Sequence, residues 1–175
     1  MQHENLWAPW RLAYLKRLDA RREAVSVRDE TDTSTNFLEA YWHSPELDVQ
    51  NHVIHRDDRG MILLNRYPYA NGHLLVALGE PRPTLLEYDT QQRAAFWGLV
   101  EAAMKLVMEV LNPNGANMGI NQGDAAGAGL PEHVHAHVVP RWRGDTNFMT
   151  TLGDVRVMPA SLEDMALMYR SHLAN

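Results

Sequence analysis

Cysteine is missing from all 175 residues. That excludes a disulfide framework, a thiol nucleophile and a cysteine-ligated zinc, and it agrees with a reducing compartment. No stretch approaches the ~20 successive apolar residues of a membrane-spanning helix. The opening MQHENLWAPWRL sets Glu4 and Arg11 around a short apolar run, unlike a secretory leader with its basic start and continuous apolar stretch. These absences predict a soluble, cytoplasmic protein. Positive charge is also scarce: 16 Lys and Arg against 22 Asp and Glu leave a net charge of −6. Such a chain is poorly suited to grip a long nucleic acid by its phosphates. Neither a nucleic-acid polymer nor a membrane is expected as a partner. A small anion stays open, because a few local donors hold one. Internal repeats and low-complexity segments are lacking as well.

What is present fits one domain, with 45% apolar residues to build a core. Residues 1–35 read as an aromatic-rich arm (Trp7, Trp10, Tyr14) followed by a polar loop. Residues 36–150 read as the functional core, and 151–175 as a final strand and helix. Within the core, 36–44 predicts a short helix stopped by Pro45. Two strands follow at 51–57 and 60–66, joined by a turn at Asp58–Gly60, and a third lies at 73–78 after the turn Pro68–Gly72. Thr84 or Asp89 is placed to cap a long helix over 89–111, where Phe96, Leu99, Val100, Ala103, Leu106, Val107 and Val110 recur at helical spacing. Strands at 116–122 and 133–139 flank a loop at 123–130, and a helix covers 161–173. Short strand links imply antiparallel pairing. The predicted fold is α+β, a five-stranded antiparallel sheet with the long helix on one face.

The most informative segment is Glu132-His133-Val134-His135-Ala136-His137-Val138-Val139-Pro140. In a strand, alternate side chains share one face. The three imidazoles then project together, while Val134, Ala136 and Val138 face a core. As a helix the same run would scatter the histidines. Three readings compete. The plainest is a strand whose surface happens to carry histidines. The second is a metal site, since histidines two apart on a strand share a zinc when a third ligand is near. The third is phosphate chemistry: a neutral imidazole attacks phosphorus, and a neighbouring one holds an oxygen or protonates a leaving group. The loop Gly123-Asp124-Ala125-Ala126-Gly127-Ala128-Gly129-Leu130 favours the third. Its small residues let backbone N–H groups approach an anion.

These residues resemble a known family. His133-Val-His135-Ala-His137-Val-Val follows the histidine-triad signature of alternating histidines and apolar residues. Asn65-Arg66-Tyr67-Pro68-Tyr69 with Asn71-Gly72-His73 is similar to that family's nucleoside-binding segment, and Gly127–Leu130 to its phosphate loop. Trp7-Ala-Pro-Trp10-Arg11 and Pro140-Arg-Trp-Arg-Gly-Asp-Thr-Asn-Phe148 resemble the bacterial diadenosine-tetraphosphate phosphorylase or hydrolase branch, close to the fragile-histidine-triad group. The resemblance implies that His135 attacks an α-phosphorus of a dinucleoside polyphosphate and forms a nucleotidyl-histidine. His137 and His133 would orient it and contact phosphate oxygens, and His73 would support the triad. Asn65 would bind ribose. Asn121, or Gln122 one residue on, would contact phosphate or the leaving group, together with Gly127, Ala128, Gly129 and Leu130. Arg141, Arg143, Thr146 and Asn147 are candidates for a polyphosphate tail or second nucleoside.

The resemblance also implies a homodimer with a continuous sheet. No metal is required by the triad itself, and Mg²⁺ is admitted alongside a polyphosphate substrate. Two departures stand out. Many relatives carry a Cys-x-x-Cys zinc site where this chain has Thr35-Asn36-Phe37-Leu38, so that structural zinc is not expected. Several place a Ser or Thr where this chain has Leu130, which leaves the phosphate or leaving-group contact to a backbone amide. The other functions kept open are a nucleoside phosphoramidase, a non-catalytic nucleotide sensor and a zinc hydrolase.

Overall fold

The computed structural model describes residues 36–146 and 158–174. The proposed arm at 1–35 and the strand expected after residue 150 lie outside them. Helix α1 spans Phe37–Trp42, with Asn36 accepting the Glu39 N–H as its cap. Strands β1 (Val53–Arg56) and β2 (Gly60–Leu64) pair antiparallel across a turn. There the Asp57 carboxylate accepts the N–H groups of Arg59 and Gly60, both at 2.8 Å. Strand β3 (Leu74–Leu78) follows, then helix α2 (Thr90–Leu111), β4 (Gly115–Ile120), β5 (His135–Arg141) and helix α3 (Leu162–Leu173). The five strands form one antiparallel sheet in the order β1-β2-β3-β5-β4. The α+β architecture is as predicted.

Helix α2 starts with a capping box, Asp89 and Gln92 each bonding the other's backbone. Thr84 caps only a short turn at Leu85–Glu87. Asn112 ends the long helix in the left-handed conformation (φ 44°) just before Pro113. The buried stripe of Phe96, Leu99, Val100, Ala103 and Val107 packs on Ile62, Leu64, Leu74, Val76, Ala136 and Val138. Full burial of each large side chain here contributes about 1.5–3 kcal/mol. The opposite face carries a smaller cluster of Leu38, Val53, Met61, Leu63, Leu75, Ala77 and Leu130. Covered on both sides, β2 and β3 are buried along their whole length, which is why they read as continuous apolar runs.

Several strand boundaries differ from expectation. The histidine strand begins at His135, two residues late, because Val134 N–H turns aside to the Arg82 carbonyl at 2.7 Å. It also runs through Pro140 to Arg141. Strand β3 pairs with β5 only as far as Val138, so Pro140 faces the single ladder with β4. Strand β4 stops at Ile120, short of Asn121 and Gln122.

The close fit of α1 on the sheet gives a stability prediction. A Cβ on Gly79 would lie 2.0 Å from Trp42 Cε2. The indole cannot retreat easily, because the Arg56 guanidinium sits 5.0 Å above it and bonds Asp48 and the Tyr41 and Trp42 carbonyls. Gly79→Ala is expected to destabilise the fold by about 1–3 kcal/mol, read as a fall in Tm. An unchanged Tm would mean that α1 is loosely held.

Candidate active site

His135 and His137 share the sheet face opposite α2, against Ala77 and Leu75 of β3. Two imidazoles on one face follow directly from the two-residue period of a strand. His133 stands just ahead of the strand, wholly buried. Its Nε2 faces the Leu78 carbonyl at 2.8 Å, and its Nδ1 lies 3.2 Å from Asn36 Oδ1. His133 therefore anchors the site from behind and has no exposed surface to offer a ligand.

The hydrogen bonds assign the tautomers. A carbonyl oxygen only accepts. The His133 carbonyl, 2.8 Å from His135 Nδ1, accepts a hydrogen bond from the proton on that nitrogen, which leaves Nε2 with a lone pair. His73 is wholly buried one residue before β3. Its Nδ1 accepts the Tyr69 N–H at 3.1 Å and the Asn65 side-chain amide at 3.2 Å. The Asn65 orientation is fixed from its other end, where Oδ1 accepts the Tyr67 N–H at 3.0 Å. With Nδ1 engaged as an acceptor, His73 carries its proton on Nε2 and donates it to His137 Nδ1 at 3.0 Å. His137 consequently holds its own proton on Nε2. The site thus presents an imidazole lone pair and an imidazole N–H side by side, ring centroids 5.1 Å apart.

Burial pushes the pKa of all three triad histidines down. His137 falls to about 4, from burial first and the charge of His135 second. At neutral pH the nucleophile candidate and its neighbour are uncharged, as the tautomers require. Stability follows by linkage. Between about pH 6.5, the unfolded value, and each lowered folded value, the unfolded chain binds more protons. This contribution is complete above pH 6.5 and shrinks as pH falls toward about 4. We predict a Tm that declines between pH 6.5 and 5, before most carboxylates titrate, and less steeply in His137→Gln. A flat Tm over that window would contradict burial of neutral imidazoles.

The predicted neighbours divide into those the fold gathers and those it uses otherwise. Strand β4 ends at Ile120, opposite Ala136, so Asn121 and Gln122 follow directly after it at the His135 end of the ladder. Gln122 Oε1 instead accepts the Leu85 N–H at 3.0 Å, tying down the turn before α2. In the loop, Gly127 N–H and Ala128 N–H close the Asp124–Ala126 turn on the carbonyls of Asp124 and Gly123. Among the described residues, Gly129 and Leu130 N–H have no backbone acceptor, and the Leu130 side chain packs into the smaller core cluster. Arg141 shares the face of His137 but forms a two-pronged pair with Asp145 at 2.6 and 2.9 Å, and bonds Asn117. Thr146 donates to the same Asp145. This pairing holds the Asp145 carboxyl well below the usual range. Arg143 N–H bonds Asn114, and Asn147 lies outside the described residues.

Sequence reasoning missed two participants. Tyr69, half exposed, stacks on His137 with centroids 5.6 Å apart and planes 16° from parallel. Its place in Tyr67-Pro68-Tyr69 was the available signal. Asn36 touches His133 across 97 positions of sequence, and no local pattern announces such a contact. Leu38, in the segment near which the resemblance implies a zinc site in other members, fills the core and offers no ligand atom.

Comparison with known proteins places this geometry. The model of the HIT domain matches residues 46–144, which include the triad, His73, Asn65 and the loop. The AP-4-A phosphorylase of Mycobacterium tuberculosis is 34% identical over 164 residues, covering 93% of this chain and 80% of that protein. The asymmetrical bis(5'-nucleosyl)-tetraphosphatase of Schizosaccharomyces pombe is 28% identical over 55% of this chain and 53% of its own. A Zn-bound histidine triad family protein from Mycobacterium smegmatis superposes with a TM-score of 0.62 at 26% identity, covering 77% of this chain and 92% of the other. In sequence, in fold and in the set of its histidines, the chain is a member of the histidine-triad, or HIT, family.

Proposed function

We propose that this protein is an enzyme that transfers a nucleotidyl group from a dinucleoside polyphosphate such as diadenosine tetraphosphate, through a covalent intermediate on His135. The observation that carries the reading is the His135 tautomer: its Nδ1–H donates to the His133 carbonyl at 2.8 Å, which leaves Nε2 unprotonated. The Nε2 lone pair attacks an α-phosphorus. A P–N bond forms, the bond from phosphorus to the bridging oxygen breaks, and the electron pair leaves with the departing nucleotide. His137 Nε2–H hydrogen-bonds that oxygen as its charge develops. An acceptor oxygen then displaces His135 and regenerates the lone pair. The similarity spanning 93% of the chain is to a phosphorylase, which favours inorganic phosphate as that acceptor. With diadenosine tetraphosphate, phosphorolysis yields ADP and ATP.

The remaining contacts follow from placement. The Gly129 and Leu130 amides donate to phosphate oxygens, Asn121 contacts the transferring group or the leaving group, and Asn65 stands nearest the ribose. The triad needs no metal of its own; Mg²⁺ enters with the polyphosphate as its counter-ion. The chain acts as a homodimer, supported by the open outer edge of β4, where Asn117, Met118 and Gly119 are exposed. Among the described residues no helix is long and apolar enough to cross a membrane.

Product analysis with diadenosine tetraphosphate, with and without inorganic phosphate, tests the reading. ADP plus ATP only in the presence of phosphate is expected. AMP plus ATP without phosphate would make it a hydrolase. No turnover of this or any other dinucleoside polyphosphate would overturn the substrate class and turn attention to phosphoramidates or to nucleotide sensing. A pair of variants checks the assignment at the end of β4. Asn121→Ala is expected to lower kcat by about 10²-fold, and Gln122→Ala by less than about threefold. The reverse order would mean that Gln122 takes this role.

A further inference from the structure

Asn36 takes no part in the chemistry above, and it lies outside the segment matched to the HIT domain. Its side-chain oxygen caps α1 by accepting the Glu39 N–H at 3.1 Å. The same atom lies 3.2 Å from His133 Nδ1. Both residues are buried, Asn36 at 8% exposure and His133 at 0%. The other ring nitrogen of His133 faces the Leu78 carbonyl at 2.8 Å. One ring thus lies between Leu78 on one side and Asn36 on the other, and the backbone carbonyl of that same residue accepts the His135 Nδ1–H.

We propose that Asn36 is a positioning residue for His135: by closing off the side of the His133 ring away from Leu78 it fixes the carbonyl that sets the tautomer and aim of the nucleophile. The proposal rests on His135 being that nucleophile. The protons sharpen it. The Leu78 oxygen only accepts, so His133 Nε2 carries a proton. Asn36 Oδ1 is already an acceptor for Glu39 N–H, so its contact with Nδ1 is attractive to the extent that Nδ1 is protonated as well. Five influences bear on that ring, and the hydrogen bond to the Leu78 carbonyl is one that favours the charged form. Burial and His135 disfavour the charged form, while Glu39 on α1 and Glu132 in the preceding turn favour it. Asn36 adds to the favourable side. Removing its oxygen opens that side of the ring and lowers the His133 pKa further.

The rival account is that Asn36 is only a helix cap. Asn36→Ser separates the two, because serine caps helices about as well as asparagine and its side chain is too short to reach His133. Asn36→Gly, a cap only slightly weaker than asparagine, stands in if the serine variant fails to fold. Asn36→Asp keeps an oxygen for both contacts. We expect Asn36→Ser to keep a near-native Tm and KM while kcat falls about ten- to a hundredfold, with Asn36→Asp restoring kcat to within about threefold. Imidazole NMR should show a lower His133 pKa and a weakened His135 Nδ1–H signal in the serine variant. Wild-type kcat together with unaltered His133 and His135 signals in Asn36→Ser would overturn the proposal. The NMR readings need no turnover, so they still decide the question if His135 proves not to be the nucleophile.

Discussion

His135→Ala is expected to lower kcat on dinucleoside polyphosphates by about four to six orders of magnitude, the loss seen when a nucleophile that acts as part of a unit is removed. The expectation rests on role, not on burial alone. His135 is the triad member whose Nδ1–H is tied to a carbonyl while its Nε2 lone pair stays free to attack. His133 cannot substitute, since it is wholly buried and its Nε2 faces Leu78. His137 cannot either, because its Nδ1 accepts from His73 and its other nitrogen holds the proton. Alanine leaves no group able to form the P–N bond. The fold should survive, because the site face is separate from the main core under α2. Nucleotide binding, measured by calorimetry with a non-hydrolysable analogue, should therefore change far less than kcat. Retention of more than about a hundredth of the wild-type kcat would mean the transfer is direct to the acceptor, without a histidine intermediate.

The second large effect belongs to a residue with no exposed surface. His73→Phe fills a similar volume but removes the donor to His137 and the acceptor for Tyr69 N–H and Asn65. Without the His73 proton, His137 Nδ1 is free to take its own, and its Nε2 then meets the leaving oxygen with a lone pair. Losing one such preorganised donor costs about 10²–10³ in kcat. The Tyr69 N–H is left without that acceptor, which adds about 1–3 kcal/mol of instability. The two losses separate by measurement: Tm reports the second and kcat at a temperature well below Tm the first. A variant with lowered Tm and unchanged kcat would reduce His73 to a packing residue.

Much of this was legible from residue order, for physical reasons. The two-residue period of His133, His135 and His137 over valines and alanine is a strand signal, and it put His135 and His137 on one face with Val134, Ala136 and Val138 in the core. The helical stripe from Phe96 to Val107 and the Asp89 cap gave α2 within a residue. The boundary at His133 was not legible, because the Val134 N–H that ends the pairing goes to Arg82, about fifty positions away. Nor was the fate of Arg141. With Arg143, Thr146 and Asn147 it was a candidate for a polyphosphate tail, and only the fold of the turn after β5 brings Asp145 against it. The choice between Asn121 and Gln122 was ambiguous by one residue from the loop length in the sequence, and the Gln122 bond to Leu85, 37 positions away, was not legible there at all. Asn36 and His73 show the same limit from the other side: what they do depends on partners brought together by the sheet.

The measurement that bears most directly on the central claim is mass spectrometry of the enzyme mixed with diadenosine tetraphosphate and quenched within milliseconds at alkaline pH, where a P–N bond to imidazole survives. The account predicts an adenylyl group on the peptide carrying His135, absent in His135→Ala and discharged when inorganic phosphate is added before the quench. Steady product formation with no adduct on any histidine at any time would contradict it.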